Sequence, residues 1–308
     1  MPYTELLRRA LQISWRHRWL WLLALFAAET GGGGGGNFSG RFGGNPFPNR
    51  NQPAGGQPFN PSVVTDWIQQ HAALLVAAGV AVLVLWILLF LLSCACAPAL
   101  IRGVEEIDAG RPAGLRRAWG LGVERFGAVL RLRLVLLLIW LVVLVLFGLL
   151  VAAGIALFRA HSFGGLVMVI AVGISLAGFA FLLSLVLGFI APLALRSAAL
   201  EARPGWAALR RAYTLTMSRP GRVLACWGLM LACQLAFGLV AAVVTLAVSA
   251  PAAVAVFAAV AAGQLVLAIV TGVVVGVLLG GALLVAGAAF AAFYGSFWTL
   301  AFARLETA

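Results

Sequence analysis

Apolar stretches long enough to cross a bilayer alternate along this chain with short segments rich in arginine. Residues 3–18 set Leu6, Leu7, Ala10, Leu11 and Ile13 among Arg8, Arg9, Arg16, His17 and Arg18, the spacing of an amphipathic helix. The apolar run Trp19 to Ala28 follows. A bilayer core needs about 20 residues, so this run makes a first span only if the helix enters lipid near Leu11. Trp15 and Trp19 at the interface, with Arg16 and Arg18 snorkelling, allow that. Further spans are expected over 72–100, 134–158, 166–195 and 223–248, with Ser249 to Pro251 ending the last. Between them lie two charged segments. Residues 102–133 hold seven arginines and four acids, and residues 196–222 hold six arginines and Glu201.

The tetrapeptide Leu-Arg-Arg-Ala occurs three times: Leu7 to Ala10, Leu115 to Ala118 and Leu209 to Ala212. The second and third copies belong to a longer match at a fixed offset of 94 residues. Ala97-Pro98 pairs with Ala191-Pro192, Arg102 with Arg196, Arg125 with Arg219, and Val129-Leu130 with Val223-Leu224. A gapless offset of this kind is the signature of an internal repeat. The unit is a basic amphipathic helix followed by a membrane hairpin. The three copies are expected at about 3–102, 103–196 and 197–304 within one transmembrane domain, 1–308. Arg102, Arg196 and Arg304 each follow the second span of a hairpin. No charge occurs from Ala252 to Ala303, which is long for one ordinary span. The repeat favours a short outer helix and one tilted span there, giving six spans; two spans, giving seven, is the alternative. The Ala-Pro pairs should kink or end the second helices of hairpins one and two.

Residues 29–62 interrupt the first hairpin with six consecutive glycines and a run rich in Asn, Pro and Gly. Such a segment cannot offset its ordering entropy by apolar burial and is expected to be a disordered outer loop. Residues 63–70 suit a short entry turn. The glycines are not a phosphate loop, because no Gly-Lys-Ser/Thr follows. Met1 to Ala28 also fits a cleavable signal peptide. The Leu-Arg-Arg-Ala match favours a retained helix.

Composition confirms the bilayer as solvent. The chain is 63% apolar and 10% charged, with mean hydropathy +1.07. All 21 basic residues are arginine, which removes lysine chemistry altogether. The net charge of +12 is divided among segments between spans, which suits lipid headgroups better than nucleic acid. Eighteen arginines fall on segments assigned inside and only Arg41, Arg50 and Arg159 outside, so both termini are expected in the cytoplasm. Arginine-only basicity and abundant alanine point to a GC-rich bacterial genome, and the expected location is the inner membrane.

No ionisable residue is expected in the middle of a span, where coupled transport usually places one. Cys94, Cys96, Cys226 and Cys233 lie in apolar stretches and read as small packing residues. Cys-x-Cys on a helix points its two thiols apart. His71 and His161, near the outer face, have no supporting cluster. No metal, cofactor or catalytic group is expected. The arginine pairs Arg8-Arg9, Arg116-Arg117 and Arg210-Arg211 are the leading candidates for function, with Trp119 and Tyr213 at equivalent repeat positions. An aromatic at the interface fixes depth, and guanidinium grips phosphate with two donors. Generic positive-inside anchoring explains the same residues without a specific ligand. Glu105, Glu106, Asp108, Glu124 and Glu201 are placed to pair with nearby arginines. Gly272, Gly276 and Gly280 form a double Gly-x-x-x-Gly ladder suited to close helix packing, within the chain or between copies.

The segment 191–224, from Ala-Pro-Leu-Ala-Leu-Arg through Ala-Leu-Arg-Arg-Ala-Tyr to Arg-Val-Leu, resembles the polytopic membrane domain beside some bacterial glycerophosphodiester phosphodiesterases, and a wider uncharacterised bacterial family sharing it. The resemblance implies about six spans and a membrane module without established chemistry. No catalytic residue carries over, because the phosphodiesterase barrel has no counterpart here. The expected protein is thus all-α and non-enzymatic, a lipid-associated scaffold whose partners are membrane lipids, anionic phospholipids above all. The alternatives are a transporter or exporter of an apolar or lipid-like substrate, and an assembly subunit holding a membrane-protein partner or a second copy.

Overall fold

Apolar runs of this length satisfy their backbone in lipid only by coiling into helices, and the computed structural model of the chain is built from them. It describes residues 3–27, 71–159 and 163–307. In chain order the helices are α1 (Tyr3–Arg16), α2 (Trp19–Ala27), α3 (Ala72–Asp108), α4 (Leu115–Glu124), α5 (Phe126–Arg159), α6 (Phe163–Leu200), α7 (Gly205–Ser218), α8 (Pro220–Ala261) and α9 (Leu265–Thr307). Five of them, α3, α5, α6, α8 and α9, are long and apolar enough to cross a membrane. The expected loop 29–62, the entry turn 63–70 and His161 lie outside the described residues.

Several boundaries differ from the sequence expectation. No single helix runs from Leu11 into the first apolar run. The chain turns at His17 and Arg18, where the Leu20 and Trp21 amides donate to the His17 and Arg18 carbonyls. The Trp21 indole reaches back 2.9 Å to the Ser14 carbonyl, satisfying an acceptor near the end of α1. The break lets two faces pack separately: Leu6, Ala10 and Ile13 of α1, then Leu20, Leu23, Ala24 and Ala27 of α2. Neither Ala-Pro pair ends its helix. Pro98 and Pro192 lie inside α3 and α6, which continue to Asp108 and Leu200. Pro251 likewise lies inside α8, so Ser249 to Pro251 is no break, and no short outer helix precedes α9. Each proline removes one ladder hydrogen bond, a loss these long helices absorb. The stretch Ala252 to Ala303 is therefore the end of α8, a turn at 262–264 with Gly263 at φ +73°, and most of α9.

The core lies at the arginine-bearing end. There α3, α6 and α9 touch one another, while α5 pairs with α6 and α8 with α9. The short helices brace this centre: α4 packs on α3, α7 on α6 and α1 on α9. Leu6, Leu20, Leu100, Ile101, Leu132, Leu193, Phe297, Trp298 and Leu305 are fully buried. By contrast Leu74 and Val82 of α3, Phe181 of α6, Leu246 of α8 and Val277 of α9, away from that end, stand well exposed. The division follows from the solvent. Lipid tails give apolar side chains no reason to leave them for one another. Water does, at about 1.5–3 kcal/mol for each fully buried large side chain, so packing concentrates where the helices carry charge.

Candidate functional site

Each Leu-Arg-Arg-Ala segment begins or occupies a short helix and splits its residues the same way. The alanines, Ala10, Ala118 and Ala212, are buried against the core. The second arginine of each pair turns to a carboxylate at the end of a long helix. Arg9 pairs with Asp108 at 2.7 Å, Arg117 with Glu106 at 3.1 Å, and Arg211 with Glu306 at 3.3 Å and Glu201 at 3.5 Å. The first arginine of each pair, Arg8, Arg116 and Arg210, is exposed, and among the described residues it makes no ion pair. Trp119 and Tyr213, next to the buried alanines, are 39% and 50% exposed. Trp15 on α1 and Trp206 on α7 are more open still. The arginine-bearing helices thus present free guanidinium groups and aromatic rings together.

The carboxylates hold more than the repeat alone predicts. Glu106, buried, is ion-paired with both Arg117 and Arg111, each at 3.1 Å. Arg102 pairs with Glu105 one turn on. Arg203 joins Arg211 on Glu201. Burial works against the charge of Glu201, but a hydrogen bond from Glu306 and the guanidinium groups of Arg203 and Arg211 outweigh it and hold the carboxyl below its usual range. Surface pairs of this kind contribute about 0–1 kcal/mol each; their effect here is to aim the short helices.

Two arginines sit deeper. Arg196 is fully buried between α6 and α9, donating to the Pro192 carbonyl at 2.9 Å and the Gly295 carbonyl at 3.2 Å. Arg133 donates to the Ser93 hydroxyl and, at 2.6 Å, to the Ala27 carbonyl, tying α5 to α3 and α2. The 94-residue offset within the chain pairs Arg196 with Arg102 but gives no sign of its burial. Cys94, Cys96 and Cys226 are buried, Cys233 partly so, and all four are free thiols. Of the described glycines, Gly122 is the most tightly packed: a methyl there would stand 2.6 Å from the Ala99 Cβ and 2.8 Å from its backbone nitrogen. The ladder glycines are open by comparison. Nothing lies within 4 Å of a methyl built on Gly276 or Gly280, and Gly272 reaches only Val256, at 4.0 Å.

These features define an α-helical protein of membrane-spanning type whose arginine-bearing helices gather at one end. The chain matches a family of unknown function, DUF7544, over residues 6–302, and it belongs to that family. The match makes no link to the membrane domain of glycerophosphodiester phosphodiesterases. No curated protein and no solved structure matches the chain.

Proposed function

We propose that this protein is a non-enzymatic module of the bacterial inner membrane, built from three repeats, with both termini cytoplasmic. In this reading the outward arginines hold the headgroups of anionic phospholipids. The observation that carries it is the split within each pair. Arg9, Arg117 and Arg211 are spent on carboxylates, while Arg8, Arg116 and Arg210 make no ion pair among the described residues and stand on helices that also carry exposed aromatic rings. Generic positive-inside anchoring requires positive charge at this level but not one bound and one free guanidinium in each copy. Three further facts support the repeat. Helices α5 and α8 begin at Phe126 and Pro220, 94 residues apart. Helices α4 and α7 brace α3 and α6 alike. Helix α1 packs on α9 as α4 packs on α3 and α7 on α6, the contact that a further copy of the unit would make.

The test is lipid retention. Replacing Arg8, Arg116 and Arg210 together by Gln, in protein reconstituted with mixed phosphatidylcholine and phosphatidylglycerol, should abolish the enrichment of phosphatidylglycerol that survives extraction. Enrichment equal to wild type in a normally folded variant contradicts the proposal.

The open face at Gly276 and Gly280 supports a second reading, an assembly subunit that receives another membrane helix there. Gly276→Leu should then release a co-purifying partner or convert an oligomer to monomer. An unchanged assembly after that substitution removes this reading.

A further inference from the structure

Helix α1 and the connection from α3 to α4 enclose a groove of about 610 Å³ lined by Arg9, Arg16, His17, Asp108 and Arg111 among others. We propose that this groove is a dedicated site for a phosphate group, gripped by Arg16 and Arg111 with His17 as a further donor. It is separate from the three outward arginines, none of which lines it.

The charge balance points to an anion. Asp108, the one acid in the lining, is already neutralised by Arg9 at 2.7 Å. Arg111 shares the Glu106 carboxylate with Arg117, so two guanidinium groups face one carboxylate. Arg16 is exposed and makes no ion pair among the described residues. The groove therefore keeps an excess of about two positive charges before His17 is counted. That excess matches a phosphate better than a single carboxylate. Guanidinium presents paired donors in a plane, the geometry that binds two phosphate oxygens at once. Within the connection, the Gly110 and Arg111 amides are already committed to the Ile107 and Glu106 carbonyls, at 3.0 and 2.9 Å. Specificity falls to side chains.

The apolar part of the lining decides between sources of phosphate less firmly than charge decides the group. Ile13, Ile107, Pro112 and Ala113 complete the walls. A glycerophospholipid headgroup with its glycerol suits such mixed walls, and so does a soluble phosphate ester. The lipid source rests on the proposed placement of this end among headgroups; the phosphate site itself does not.

The experiment uses the full chain in phosphatidylcholine nanodiscs, with inorganic phosphate and short-chain phosphatidylglycerol as separate titrants. Arg16→Gln alone removes a guanidinium that holds no ion pair in the fold, and Ala113→Trp fills the groove while keeping every arginine. Either change should weaken binding by roughly tenfold or more, the loss expected when a bidentate phosphate contact goes. Loss confined to phosphatidylglycerol identifies a lipid headgroup; loss confined to inorganic phosphate identifies a soluble ligand. No saturable binding of either titrant to wild type, or binding unaffected by both changes, overturns the site. The triple variant at Arg8, Arg116 and Arg210 separates this inference from the broader function. If that variant retains lipid normally while the groove variants lose their ligand, the headgroup function falls and the groove stands; the reverse result overturns the groove alone.

Discussion

At the scale of single residues, the two arginines of each Leu-Arg-Arg-Ala segment do different work, and their direction on a short helix decides which. Adjacent residues on a helix lie about 100° apart, so one guanidinium reaches a neighbouring helix end while the other faces out. Burial of the following alanine fixes the rotation. Arg196 extends the contrast, since it is fully buried and joins α6 to α9 through backbone carbonyls. Arg196→Ala removes these charge-assisted bonds and leaves a cavity the size of a large side chain. It should lower unfolding stability by roughly 3 kcal/mol or more, read as an earlier transition in detergent titrated with denaturant. A midpoint equal to wild type would show that Arg196 does not join the two helices energetically. The pairing of Arg117 with Glu106 and of Arg211 with Glu201 is legible in the sequence, because 11 and 10 residues separate the partners; the pairing of Arg9 with Asp108 and of Arg211 with Glu306 is not, since it crosses 99 and 95 residues. Nor is the burial of Arg196, because it depends on α9 meeting α6 from 99 residues away.

At the scale of elements, the short helices are braces held by small residues. Gly122 lets α4 lie against α3 so closely that a methyl would collide with the backbone of Ala99, and backbone cannot swing aside. Gly122→Ala should therefore cost about 1–3 kcal/mol through overpacking. It should also free α4, which amide exchange over residues 115–124 would report. Unchanged exchange there would mean the crossing tolerates the methyl. Helix type and the long apolar runs were readable from periodicity and length. Their ends were not. Proline at 98, 192 and 251 signals a break, yet all three helices continue. A lost hydrogen bond is a local penalty, and it is outweighed where the rest of the helix is long and its backbone must stay paired in lipid. The turn at His17 fails in the other direction. It is set by Trp21 closing on Ser14 and by two short faces packing apart, which no local pattern announces.

At the scale of the whole molecule, the packed centre and the basic layer coincide. Helices α3, α6 and α9 meet there, with α4, α7 and α1 outside them, while away from that end large apolar side chains stand open. The 94-residue offset in sequence reappears in the starts of α5 and α8, and α1 packs on α9 as α4 packs on α3. Three short helices, each with one outward guanidinium of an arginine pair, are what the proposed function rests on. The most direct measurement is a native mass spectrum of the intact protein released gently from phosphatidylglycerol-containing membranes, taken for wild type and for Arg8→Gln, Arg116→Gln and Arg210→Gln singly and together. The account predicts a fixed complement of bound anionic lipid that falls stepwise with each substitution and disappears in the triple variant. A complement that stays constant across the series, with the fold intact, would contradict it.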